Sequence, residues 1–239
     1  MENNKRCQLI KSIVIKSVII LLIVVGLISL MTTTNFMSES TLLYYTVQSN
    51  ILVGAIIAVF LIFDIIKLIK KAEVKLPKFL CVIRLVGTSA IAVTFVVFSL
   101  MMLPTLIQSG YGMYLLSLNN ICLHILVPII AVVDWFMFDY GYKSNHFTFL
   151  YGGIMPMCYL IFVMICSVSG VTFADGSIVP YFFLNYETLG WFSIGSMKLG
   201  VFYWIVLLTI VVLLISFFLS FVKEKINAKK ISEQNPENN

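Results

Sequence analysis

The sequence predicts an all-α integral membrane protein: a bundle of six transmembrane helices with both termini cytoplasmic. Three observations lead there. The 239-residue chain is 60% hydrophobic and only 11% charged, whereas a soluble domain carries roughly a quarter charged residues. It holds six apolar stretches, each reaching the ~20 residues that cross a bilayer. Its basic residues are spread unevenly over the links between those stretches.

The stretches cover about 12–32, 43–69, 79–103, 119–138, 148–171 and 199–222. Lys5, Arg6 and Lys11 ahead of the apolar run 18–31 resemble the start of a signal peptide, but only Thr32–Thr34 and Asn35 follow, with no small-x-small cleavage site. The run therefore reads as a retained first span. Cys7 precedes the run and does not fit a lipoprotein signal. Residues 1–222 form a single six-helix domain, and 223–239 read as a charged, disordered cytoplasmic tail.

Orientation follows from the lysines and arginines. Lys5, Arg6 and Lys11 precede span one, and Lys67, Lys70, Lys71, Lys75 and Lys78 flank the link between spans two and three. Lys143 lies between four and five, and Lys223, Lys225, Lys229 and Lys230 follow six. The other side offers Lys198, while Lys16 and Arg84 lie within spans. That bias puts both termini in the cytoplasm. The net charge of +5 is thus a topology signal, and nucleic acid is not an expected partner.

The five cysteines, Cys7, Cys81, Cys122, Cys158 and Cys166, show neither CxxC nor metal spacing and read as apolar packing residues. A metal site is disfavoured as well. The two histidines, His124 and His146, fall on opposite sides of the membrane, and no cofactor is expected. The outer loops are 33–42, 104–118 and 172–198. The last carries Asp175, Tyr181, Phe182, Phe183, Tyr186, Glu187 and Trp191, which read as an interfacial belt ahead of a lid over a cavity.

The polar residues inside the spans fall into two layers. Asn120, His124, Asp134 and Trp135 share one arc of span four at about 100° per residue, and ionisable groups within a membrane face a bundle interior or a wet cavity. Thr46 and Asn50 sit one turn apart on span two, at a depth within about a turn of Asn120 and His124. If the two faces meet, these four residues form an outer polar layer. Gln48 and Ser49 are weaker members. Asp64, on the Thr46 face about five turns deeper, comes to the same depth as Arg84 and Asp134. These three read first as a helix-locking ionic cluster and only second as a catalytic one. Lys67 joins it or snorkels to the interface.

A hydroxyl facing an imidazole is the minimum for nucleophilic acyl transfer. His124 would act as base, Thr46 as nucleophile, and Asn50 or Asn120 as oxyanion donor. Asp134 is about 15 Å along the helix from His124 and cannot orient it directly. The competing readings are that Thr46 bonds back to its own helix and that His124 bridges two helices.

The segment Tyr44-Tyr45-Thr46-Val47-Gln48-Ser49-Asn50, together with Asn120-(x3)-His124-(x3)-Pro128-(x5)-Asp134-Trp135, resembles the bacterial six-span family labelled Pr6Pr. Pro180-Tyr181-Phe182-Phe183-Leu184-Asn185 resembles the aromatic segment before that family's last span. The similarity covers most of 10–222. That family is similar to the eukaryotic androgen-induced and androgen-dependent integral membrane threonine hydrolases, which cleave fatty acid esters of hydroxy fatty acids with a Thr and a His. The resemblance implies that Thr46 and His124 are those two residues. The expectation is an intramembrane hydrolase of lipid or fatty acyl esters, with membrane lipids as partners and a lipid-like substrate. The alternative is a non-catalytic binder of a lipid or small molecule, or a transporter accessory. A transporter proper is disfavoured because no inverted repeat and no matched pair of broken helices occurs.

The topology carries a direct prediction. Reporter fusions made after Gly110 and after Asn239 should report opposite sides of the membrane, and the same side for both would refute the six-span arrangement.

Overall fold

The computed structural model describes residues 3–33, 39–71, 76–110, 112–138, 142, 145, 147–173, 176–195 and 198–234. Lys75, Lys143, His146, Asp175 and residues 235–239 lie outside the described residues. Six helices are long and apolar enough to cross a membrane, and they make the chain an all-α, multi-pass bundle. They are α1 (Asn3–Thr33), α2 (Tyr45–Lys70), α3 (Lys78–Gln108), α4 (Leu118–Met137), α5 (Thr148–Val168) and α6 (Val201–Gln234).

Three of these helices change pitch, and in each the cause is a proline. A proline has no N–H to give the carbonyl four residues back, and its ring crowds that carbonyl. Pro104 in α3 follows a π turn at Phe98–Met102, and Pro128 in α4 follows a π turn at Ile121–Leu126. Pro156 in α5 follows a 3-10 turn at Thr148–Gly153. The carbonyl that Pro128 fails to satisfy belongs to His124. Wider and tighter turns of this kind commonly occur where a helix serves a site.

α6 continues through Gln234, so the disordered tail expected from residue 223 is corrected to a helical extension. The reason is docking against the end of α4. The buried Lys223 ammonium donates to the Phe138 carbonyl and lies 5.6 Å from the Trp135 ring centre. A cation suits the last carbonyls of a helix. Asn227 Nδ2 donates to the Tyr142 carbonyl at 3.1 Å, and Trp135 Nε1 donates to the Leu219 carbonyl at 3.2 Å.

At this same end Asp64, Arg84 and Asp134 meet in one buried network, and Lys16 of α1 completes it. Lys16 Nζ lies 2.9 Å from Asp64 Oδ2 and 3.3 Å from Asp134 Oδ1, and Arg84 pairs with Asp134 Oδ2. Ser12 Oγ donates to Asp64 at 2.7 Å. Two cations thus balance two carboxylates. Lys67 takes no part in the ion pairs among the described residues. Sequence reasoning set Lys16 aside, although Ser12, Lys16, Ile19, Ile23 and Gly26 form a single buried stripe at alternating four- and three-residue steps along the helix. Gly26 marks the far end of that stripe. A Cβ there would lie 2.7 Å from Leu123, so α1 runs hard against the π turn of α4.

Close contact at Gly152 sets the other half of the bundle. A Cβ there would fall 2.1 Å from Ser216 Oγ of α6 and 2.7 Å from Ser89 Oγ of α3. The start of α5 is thereby clamped between α3 and α6. Beyond Gly153 the apolar side chains of α5 and α6 face one another across a cavity.

Removing one ion-pair partner strands an opposite charge in low dielectric. Arg84→Ala and Lys16→Ala should each destabilise the protein by about 3–5 kcal/mol, read as a lowered melting temperature in detergent. An unchanged melting temperature for both would show that the cluster does not hold the helices.

Candidate functional site

Thr46 occupies the first turn of α2. The chain enters that helix through Tyr44, which is extended at φ −78° and ψ 139°. The Tyr44 carbonyl accepts from the Val47 and Gln48 amides, both at 3.1 Å. The preceding amides of Tyr45 and Thr46 have no acceptor within the helix, and they open toward the end of the bundle away from the ion cluster. His124 projects from the π turn of α4. Thr46 Oγ1 and His124 Nε2 are 3.1 Å apart, a hydrogen bond by distance. The structure therefore brings together the two residues that sequence spacing placed at one depth.

The imidazole is held by its surroundings. The Phe98 ring, from the π turn of α3, stacks on it at 4.2 Å between ring centres and 29° between planes. His124 Nδ1 lies beside the Asn120 backbone, and among the described residues no carboxylate touches it. A proton on Nδ1, facing that backbone, leaves Nε2 as the acceptor for the threonine proton.

Asn50 is placed differently from the oxyanion role anticipated for it. Its Nδ2 donates to the Thr46 carbonyl at 2.8 Å and to the Leu123 carbonyl at 3.1 Å. Both neighbours are carbonyl oxygens, so the amide nitrogen has to face them, and both N–H groups are used. Asn50 is a cross-link between α2 and the π turn. Asn120 is buried and lines the cavity next to His124. Ser49 is completely buried and shares a 2.8 Å hydrogen bond with Thr94 of α3, while Gln48 turns outward to the Leu42 carbonyl. The second layer, Asp64, Arg84 and Asp134, remains at the opposite end and does not reach the Thr46–His124 pair.

The pair opens onto a cavity of about 760 Å³. Its walls are largely aliphatic, from Val93 and Val97 of α3, Met157 and Ile161 of α5, and Leu208 and Val212 of α6. Its cover is the loop segment Pro180–Leu184. Tyr181, Phe183 and Leu184 line the cavity, and Phe183 and Leu184 are buried there. The loop aromatics anticipated as an interfacial belt divide accordingly. Phe182 and Trp191 are exposed and suit a belt, whereas Tyr181 and Phe183 line the cavity as a lid.

Tyr181 is the residue sequence reasoning left out of the site. Its ring packs beside Tyr44 and Tyr159 at 6.4 Å between ring centres in each case, and it lines the cavity together with Thr46 and His124. Burial pushes its hydroxyl up to about 12, so at neutral pH the phenol keeps its proton. The signal was present: a tyrosine in a proline-led aromatic run just before the last span. A loop more than 130 residues from Thr46 gives no spacing argument for a contact.

No protein family, curated protein or solved structure matches this chain. What the site can do therefore rests on its own geometry.

Asn50→Ala removes two hydrogen bonds and leaves the buried Leu123 carbonyl without a donor. It should cost about 1–3 kcal/mol of stability, measurable as a lower melting temperature. A variant with full stability would place Asn50 outside the helix cross-link.

Proposed function

We propose that the chain hydrolyses lipid or fatty acyl esters within a bacterial plasma membrane, both termini cytoplasmic, with Thr46 as nucleophile and His124 as base. The observation that carries this reading is the 3.1 Å contact between Thr46 Oγ1 and His124 Nε2 at the wall of a large, mainly aliphatic cavity. The resemblance of the two helix motifs to the Pr6Pr pattern points the same way. The uneven lysines and arginines support the orientation.

The chemistry is a two-step acyl transfer. His124 Nε2 takes the Thr46 proton as the Thr46 oxygen attacks the ester carbonyl carbon, and the carbonyl electron pair moves onto oxygen. Collapse of that intermediate breaks the bond to the alcohol, which leaves with the proton from His124. Water, deprotonated by His124, then cleaves the acyl-threonine and releases the carboxylic acid. The apolar walls hold the acyl chain and keep bulk water from the charged intermediate, where a low dielectric strengthens each polar contact. Leu150, Ile154, Met157 and Ile161 of α5 line the cavity and are each about half exposed, which suits lateral access from the bilayer.

A lipid-binding role without turnover draws on one observation, that no carboxylate orients His124 among the described residues. Hydrolysis of long-chain p-nitrophenyl esters by the purified protein, together with labelling by an alkyl fluorophosphonate, separates the two readings. Thr46→Ala and His124→Ala should each lower turnover by roughly 100-fold or more. The double variant should be little worse than either, because the two residues act as a unit. Equal rates and equal labelling in wild type and both single variants would favour the binding role.

A further inference from the structure

We propose that Gly153 is a specificity-determining residue of this site: its missing side chain leaves the passage through which a long acyl chain runs from Thr46 between α5 and α6. The inference rests on the ester-hydrolase reading above and names the part of the substrate that the far end of the cavity holds.

Gly152 and Gly153 are neighbours with opposite surroundings. Gly152 is glycine because Ser216 and Ser89 leave no room for a Cβ. Gly153 has no such constraint. Its backbone, at φ −78° and ψ −12°, lies in the right-handed helical region open to any L residue. Among the described residues, a Cβ there would meet one heavy atom beyond its own turn, Leu213 Cδ2 of α6, at 3.7 Å. That is ordinary van der Waals contact. Gly153 is nevertheless buried and lines the cavity. The room its side chain would take is therefore cavity volume, whereas an interior normally fills such space with side chains.

The cavity continues past this point. Tyr159 marks the level of the site on α5: its hydroxyl donates to the Leu43 carbonyl at 2.9 Å, and its ring meets that of Tyr45 at 5.0 Å. Gly153 is six residues back along the chain, about 9 Å by helical rise. Leu150, one 3-10 turn and about 6 Å further, also lines the cavity and is 47% exposed. The passage thus runs from Thr46 past Gly153 to a side chain on the outer face of the bundle.

Its lining is hydrocarbon. Ile154, Leu208, Val212 and Leu213 supply aliphatic surface. The Thr209 hydroxyl in this wall donates to the Ile205 carbonyl of its own helix at 2.8 Å. Such a wall gains by covering methylenes and offers nothing to a polar headgroup. With the ester carbonyl at Thr46, the distal methylenes of a long acyl chain lie against Gly153, and a short chain ends before it.

The test is Gly153→Leu, which puts an isobutyl group into the passage. The ratio of kcat/KM for p-nitrophenyl hexadecanoate to that for p-nitrophenyl butanoate should fall by roughly 10-fold or more, the loss on the long ester being carried by KM. Gly153→Ala should shift the ratio the same way by less. Adding Leu213→Ala to Gly153→Leu should restore part of the ratio, because it removes the neighbour that confines the new side chain. An unchanged ratio in Gly153→Leu at wild-type melting temperature would overturn the proposal. Equal losses on both esters, with a lowered melting temperature in Gly153→Leu and Gly153→Ala, would make Gly153 a packing residue and overturn it equally. An absence of turnover in the wild type, or turnover that persists in Thr46→Ala, would instead sink the parent reading. Displacement of a bound fluorescent fatty acid by hexadecanoate then decides for Gly153 alone: weaker displacement in Gly153→Leu supports the passage, and equal displacement refutes it.

Discussion

Charge neutralisation in an apolar interior governs how this bundle assembles. Lys16, Asp64, Arg84 and Asp134 come from four different helices and are nearly or completely buried. Any arrangement that separated them would leave an ion in low dielectric at a cost of several kcal/mol. Their pairing ties α1, α2, α3 and α4 together at one end and fixes which face of each helix turns inward. Between hydrocarbon side chains and hydrocarbon lipid there is little hydrophobic preference for one helix rotation over another. The ionic cluster supplies the selectivity that apolar packing lacks. Lys223 plays a related part for α6, fastening it to the last carbonyls of α4.

The functional end of the molecule depends on three interrupted helices. Pro104, Pro128 and Pro156 each force a non-α turn just before them, and Phe98, His124 and Gly153 from those turns all line the cavity. Irregular backbone inside a membrane persists only where its polar groups are satisfied by protein or face a cavity. Asn50 meets that need for the α4 turn by donating to the Leu123 carbonyl. The same amide binds the Thr46 carbonyl, so one side chain repairs the broken helix and holds the nucleophile's backbone beside it. Close packing at Gly152 and cover from Pro180–Leu184 then bound a space that neither α5 nor α6 encloses alone.

The six spans, the inward face of α4 and the meeting of Asp64, Arg84 and Asp134 were legible in the sequence. Length, hydropathy and the depth of polar residues are properties of single helices, and a helix converts residue number to depth at a fixed rise. The same arithmetic placed Thr46 and His124 at one level. It failed for Lys16, which looked like a stray charge in an apolar run, because helical spacing on α1 does not say which carboxylates stand beside it. It failed again at residue 223, where a charged composition suggested disorder and docking on α4 instead extended the helix.

What the sequence by itself determined is the class of the molecule: an all-α chain of membrane-length helices with its ionisable groups confined to a few inward-facing positions. Only the tertiary structure decided that Asn50 is committed to two carbonyls, that Tyr181 joins the cavity wall with Thr46 from a distant loop, and that a cavity opens between α5 and α6 beyond Gly153. Each of these is a contact between elements far apart in the chain. Local periodicity carries no information about such contacts, because they depend on how helices rotate, tilt and approach once their charges and interrupted backbones have been satisfied.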